Sequence, residues 1–227
     1  MSTILCIGAH PDDMEYTCTG TLSKFKKQAA DSQIYYVIVT NGENGFKMNR
    51  KATIAQRVRI RKAEQLEAAK KLGVEKVFFL GYRDGFLAST EKLRRQLVKI
   101  IKKLRPEIIF TFDPANKSFN NLNTLHHDHR IVAEAVFDAC FAAKNLWMYP
   151  GETHHIKKLY FFTTDKPNHI EDITGLMNFK LELLACHRSQ FPDFSKVADH
   201  VRNDLSKHSE EFTYSEAFRI IEVRQPV

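Results

Sequence analysis

Apolar residues along the chain fall into two alternating rhythms. Thr3–Ala9 (TILCIGA), Gln33–Thr40 (QIYYVIVT), Lys76–Leu80 and Glu107–Phe112 are short, nearly continuous apolar runs. Runs of this kind predict strands buried on both faces. Between them, Gly20–Ala30, Thr53–Leu72 and Lys92–Leu104 space their apolar positions at helical intervals. The punctuation agrees: Asn41-Gly42 stops the second strand, Gly73 caps the long helix, and Pro106 ends the next helix just before a strand. Further on, His129–Ala143 and Thr174–Cys186 read as helices, and Lys157–Phe162 and Phe218–Val223 as strands.

This alternation predicts a single α/β domain over residues 1–227, a three-layer Rossmann-like fold with a mostly parallel sheet between covering helices. The chain has no internal repeat and no low-complexity linker. Two polar stretches, Asn41–Lys51 and Asp113–Leu125, are long for simple connections. Each follows the carboxyl end of a predicted strand, where open α/β sheets place their ligand sites.

Composition narrows the function classes. Across 227 residues, 43% apolar and 27% charged side chains are those of an ordinary soluble globular protein. No run reaches the roughly 18 apolar residues of a membrane span, and the N-terminus lacks a basic n-region and cleavage site, so no membrane partner is expected. Four scattered cysteines without CxxC spacing point to a reducing cytoplasm, with Cys6 and Cys140 read as buried thiols. A net charge of +7 raises nucleic acid as a partner. The basic clusters Lys24–Lys27, Arg57–Lys62, Lys70–Lys71 and Arg94–Lys103 all lie in predicted amphipathic helices, however, and solvated helix faces account for them. Steering of anionic substrates is the role left for the charge.

The densest chemistry is His10-Pro11-Asp12-Asp13-Met14-Glu15, directly after the first strand. Adjacent carboxylates at the end of a buried strand are costly unless a cation compensates them. A second cluster, His126-His127-Asp128-His129-Arg130, closes the second polar stretch, and its His126 and His129 share a helix face. The histidines at 154, 155, 169, 200 and 208 have no such context and read as surface or structural. Two imidazoles and a carboxylate suit catalytic zinc and equally the facial triad of non-haem iron, so ligand type alone does not name the metal. Surplus groups favour hydrolysis, because Asp12 and His126 are available as a general base and an oxyanion or leaving-group partner.

AHPDDME (9–15) and HHDHR (126–130) resemble the paired motifs of the LmbE-like, or PIG-L, N-deacetylase family. RKAE (61–64), GYRDG (81–85), RPEIIFTFDP (105–114), CHRSQF (186–191) and YSEAFR (214–219) follow in the family's order across most of the chain. The resemblance implies a zinc-dependent hydrolase that removes an N-acetyl group from a GlcNAc-type amino-sugar compound, with another divalent metal as an alternative cofactor. It implies His10, Asp13 and His129 as metal ligands and Asp12 as the base activating a zinc-bound water. His126 would stabilise the tetrahedral intermediate, and Arg61 and Asp84 would line the sugar pocket. By analogy it also brings homo-oligomers into view. The chain departs from the family pattern in having His127 where a proline is usual, and Cys18-Thr19-Gly20 where a small-Gly-Gly stretch is usual. Two alternatives stay open: an amidase acting on a larger conjugate with the same metal site, and a non-catalytic carbohydrate or nucleic-acid binding module.

Overall fold

A computed structural model describes residues 2–119 and 125–223. Residues 120–124 of the second polar stretch lie outside that range. Seven strands form one sheet in the order β3-β2-β1-β4-β5-β7-β6. In chain order they are β1 (Thr3–Gly8), β2 (Gln33–Thr40), β3 (Lys76–Tyr82), β4 (Ile108–Phe112), β5 (Lys158–Phe162), β6 (His169–Asp172) and β7 (Ser215–Glu222). β1 to β5 run parallel, β7 lies antiparallel to β5, and β6 is antiparallel to β7. The expected α/β architecture with a mostly parallel sheet is therefore the observed one.

The helices are α1 (Asp13–Thr17), α2 (Thr19–Gln28), α3 (Ile54–Leu72), α4 (Glu91–Leu104), α5 (His127–Lys144), α6 (Met177–Leu184) and α7 (Phe194–Leu205). Neighbouring residues of β5 show that both faces of the sheet are covered. Tyr160 meets Phe25 of α2 at 6.2 Å between ring centroids, while Phe161 meets Phe137 of α5 at 6.4 Å. Alternation along a strand sends these side chains to opposite faces. Ile4, Leu5, Cys6 and Ile7 of central β1 are all fully buried, so each such aliphatic side chain contributes about 1.5–3 kcal/mol of transfer free energy.

Helix α3 shows how local chemistry sets the boundaries. Thr53 Oγ1 accepts the Gln56 backbone N–H at 3.2 Å, and Gln56 Oε1 accepts the Thr53 N–H at 2.8 Å, a reciprocal capping box. At the other end Gly73 adopts φ 79° and closes the helix, as its position predicts. Elsewhere the structure differs from the sequence reading. The first helical segment begins inside the acidic motif, at Asp13, and breaks at Cys18 before α2. The Thr174–Cys186 segment opens with a 3₁₀ turn, and α5 starts two residues earlier than expected. β6 and α7 are additional to the elements that the apolar pattern predicts. Helix α7 packs with α6 in a second apolar cluster of Ile173, Met177, Leu181, Leu184, Val201 and Leu205. Among the described residues no helix is long and apolar enough to cross a membrane.

Strand order decides where the site falls. The chain moves from β1 outward to β2 and β3, then returns past β1 to β4. A crevice forms where the direction of winding reverses, beyond the carboxyl ends of β1 and β4. His10 follows β1, and the segment after β4 leads to the start of α5.

Candidate metal centre at the sheet switch point

The turn after β1 folds back on itself through Asp13. Its Oδ2 accepts the backbone N–H groups of Ala9 at 2.7 Å and His10 at 2.8 Å, which leaves Oδ1 facing the crevice. Three donor atoms from both motifs converge there. His10 Nδ1 and His129 Nε2 are 3.2 Å apart, Asp13 Oδ1 is 3.4 Å from His129 Nε2, and it is 3.8 Å from His10 Nδ1. A tetrahedral ion with bonds near 2.1 Å needs donor–donor edges of roughly 3.4 Å. The observed triangle fits that requirement. Ring stacking on Phe112, with centroids 4.0 Å apart, fixes the His129 imidazole.

Behind this triangle stands a carboxylate shell. His10 Nε2 lies 3.1 Å from Asp84 Oδ1 and 3.2 Å from Asp128 Oδ2. Asp128 is itself held by the N–H groups of Gly85 at 2.7 Å and Leu87 at 3.2 Å, and Asp84 by the Asn44 N–H at 2.9 Å. A carboxylate on one imidazole nitrogen sets the tautomer and turns the other nitrogen outward, the usual support of a metal-ligating histidine. Asp84 is thus buried behind His10. Asp128 sits inside the second motif, beside His129, and the motif's pattern alone gives no sign of this supporting role.

Electrostatics follow from this crowding. Burial opposes the charge on His10, but Asp128, Asp13 and Asp84 outweigh it and raise its pKa well above the usual imidazole value. Burial would raise the Asp13 carboxyl, yet His129 and His10 hold it far below the ordinary carboxylate range. Asp12 behaves oppositely: burial pushes its pKa up against the pull of Arg61 and His187. The adjacent carboxylates are driven apart in acidity, as different environments require.

Asp12 occupies the N-cap of α1 with φ 99°, a left-handed conformation costly for a residue other than glycine. Its Oδ2 accepts from Arg61 Nη2 at 3.0 Å, and the same nitrogen donates to the Pro11 carbonyl. Arg61 Nη1 donates to Gln190 Oε1 at 2.6 Å. Only 1% of Arg61 is exposed, so the guanidinium faces protein acceptors rather than an open cleft.

The remaining histidines of the second motif separate cleanly. His126 caps α5 by accepting the Asp128 N–H on Nδ1 at 3.2 Å, which places its ring proton on Nε2. Its ring centroid lies 4.8 Å from that of His10, and burial together with His10 and His129 lowers its pKa. His10, His126 and His129 also place ring nitrogens within 4.8 Å of one another. His127 Nε2 instead bonds to the Leu87 carbonyl at 2.7 Å, away from the cluster. His187 is fully buried, with Nε2 3.2 Å from Glu15 Oε2 though out of hydrogen-bond alignment. Tyr214 is tied through its backbone to Thr174 and Ile173. Of the cysteines, Cys6, Cys18 and Cys186 are buried and Cys140 is half-buried, its thiol pushed up to about 12 by burial.

A doubly wound sheet with imidazoles and carboxylates gathered at its switch point defines the class: an α/β protein whose described residues include groups that could hold a metal ion. The family model described as "PIG-L: GlcNAc-PI de-N-acetylase" matches residues 5–140, and the chain belongs to that family. It is 32% identical over 196 residues to the diacetylchitobiose deacetylase of Thermococcus kodakarensis, covering 84% of this chain and 70% of that one. It is 28% identical to a probable N-acetyl-alpha-D-glucosaminyl L-malate deacetylase 2 of Bacillus anthracis, over 83% of this chain and 81% of that protein. In three dimensions it superposes on the N,N'-diacetylchitobiose deacetylase of Pyrococcus horikoshii with a TM-score of 0.87 and 30% identity, covering 97% of this chain and 84% of that structure.

Proposed function

We propose that this chain, as one domain over residues 1–227, is a divalent-metal-dependent deacetylase that hydrolyses the N-acetyl group of a small amino-sugar compound. The observation that carries this reading is the triangle of His10 Nδ1, Asp13 Oδ1 and His129 Nε2, backed by carboxylates on His10 Nε2. The amino-sugar deacetylases among its relatives support the substrate class. These three residues would hold the ion, and zinc suits two imidazoles and a carboxylate. When bound, such an ion supplies Lewis acidity and lowers the pKa of water toward neutrality.

The protein's own groups carry the proton movements. With Oδ2 on Arg61, Asp12 offers Oδ1 to take a proton from the attacking water. Its raised pKa moves the base toward the operating range, where proton transfer is most effective. His126 presents Nε2–H to the carbonyl oxygen as negative charge develops there, and burial keeps that ring neutral in the resting site. Arg61 and Asp84, expected at the sugar pocket, act through Asp12 and His10 respectively as positioning residues.

The test is acetate release from a panel of N-acetylated amino sugars and their conjugates by metal-loaded protein. Asp12→Asn is expected to keep its metal and lose at least about 100-fold in turnover, the scale of general-base catalysis. Turnover of Asp12→Asn equal to that of the unmutated chain would remove Asp12 as the base. Release from bulkier acyl conjugates alone would redirect the reading to a larger amide.

A further inference from the structure

Asp12 sits in a backbone conformation that needs outside support, and the structure shows what provides it. Its buried N–H donates to Gln65 Oε1 at 3.0 Å. Gln65 Nε2 in turn donates to Glu15 Oε1 at 3.0 Å, and both side chains are essentially inaccessible. The second bond decides the orientation of the amide. With Nε2 committed to a carboxylate, Oε1 must face Asp12; a flipped amide would set N–H against N–H at Asp12 and oxygen against carboxylate at Glu15. Gln65 lies one helical turn beyond Arg61 on α3, so one face of that helix grips Asp12 at both its backbone and its carboxylate.

Glu15 is anchored in the opposite direction. Lys180 Nζ, fully buried, donates to the Glu15 carbonyl at 3.0 Å and to Glu216 Oε1 at 2.8 Å. Buried polar groups of this kind are costly unless each finds a partner; Glu15 Oε1 has Gln65, while Glu15 Oε2 has no hydrogen bond and only faces His187 Nε2 at 3.2 Å. We propose that Gln65 and Glu15 are positioning residues that hold Asp12 in its left-handed conformation and so aim its carboxylate. This inference rests on the reading of Asp12 as the proton acceptor. The backbone support itself does not, and it can be measured without turnover.

Gln65→Leu removes both hydrogen bonds while retaining a buried side chain of similar size. It is expected to lower kcat by about tenfold or more, with KM and bound metal each within about twofold, because a small misplacement of a reacting group is costly. Gln65→Glu alone faces carboxylate against carboxylate at Glu15 and should be no better. The exchanged pair, Gln65→Glu with Glu15→Gln, restores an acceptor for the Asp12 N–H and a donor–acceptor bond behind it. Recovery of kcat toward the unmutated value in this pair, but in neither single variant, is the result expected; a merely structural role would not produce it. Gln65→Leu with unchanged kcat, or an exchanged pair no better than its singles, would overturn the proposal.

Amide hydrogen exchange separates this inference from the functional reading. The Asp12 N–H should be protected in the unmutated chain and exchange faster in Gln65→Leu, with α3 amides away from position 65 unchanged. If the unmutated protein releases no acetate, the functional reading fails while this readout still decides the support. Equal Asp12 exchange in both proteins would overturn the support as well.

Discussion

At the tip of α5, the three histidines found within four residues are sorted by what already holds them. His127 is committed to the Leu87 carbonyl, His126 to the helix cap, and His129 is stacked on Phe112 beside Asp13 and His10. His129→Ala should therefore bind at most a small fraction of the metal bound by the unmutated chain, whereas His127→Ala should retain it, as measured by metal content after dialysis. The residue scale also sets a pH dependence. In the metal-free protein the folded pKa of His10 lies well above its unfolded value near 6.5, so its stabilising contribution is complete below that pH and is lost as pH rises through the folded pKa. The depressed carboxylates Asp13, Asp84 and Asp128 contribute in the opposite sense: their stabilisation is present above their unfolded pKa values and is lost as pH falls through the folded ones. Where the carboxylates around His10 keep it protonated, metal must displace that proton, so uptake should release protons. Calorimetry in buffers of different ionisation enthalpy reads the number; proton-neutral binding would contradict the raised pKa of His10 and leave the donor triangle standing. The sequence made His10, Asp12 and Asp13 visible because four ionisable groups crowd one strand end. Gln65 was invisible, because an uncharged side chain on a long helix acquires meaning only when the fold brings Asp12 and Glu15 to it.

Elements were legible where burial is two-sided. β1, β2 and β4 read as strands because almost every position is apolar, and α3 because its apolar positions recur at helical spacing and Gly73 closes it. β6 escaped notice: HIED has a single aliphatic residue and every position is half-buried, as suits an edge strand. Helix α7 escaped for another reason. Phe194, Val197, Ala198, Val201 and Leu205 do follow helical spacing, but the polar residues and Pro192 around them masked it. The glycine kept in Cys18-Thr19-Gly20 also has its account at this scale. A Cβ on Gly20 would lie 2.8 Å from two carbons of Ile173 and 2.9 Å from Glu216 Oε1, so α2 approaches its neighbours more closely than alanine allows. Gly20→Ala should destabilise the protein by about 1–3 kcal/mol through overpacking, read as a lower denaturation midpoint. Lys180→Met removes the charge opposite Glu216, whose other partners among the described residues, Gly20 and Thr21, are neutral donors. About 3–5 kcal/mol of stability should be lost in the same measurement. An unchanged midpoint would mean that the buried pair contributes little to the fold.

Over the whole molecule, the winding of the sheet does what neither motif could do alone. The motifs stand more than a hundred positions apart in the chain, yet β1 and β4 are adjacent strands, and their carboxyl ends bring His10 and His129 within 3.2 Å. The alternation of strands and helices announced this architecture, and long polar stretches at strand ends marked the crevice. Sequence alone left open which donors face one another and which stand behind them, because that depends on register and on loops returning from β3. We propose that the triangle of His10, Asp13 and His129 binds the metal on which deacetylation depends. The most direct test is to titrate chelator-treated protein with zinc and record both bound metal and acetate released from an N-acetylated amino sugar. No release is expected without metal, and activity should rise in step with occupancy and saturate near one equivalent. Release that persists in the metal-free protein, or occupancy of this site without release from any amino sugar, would contradict it.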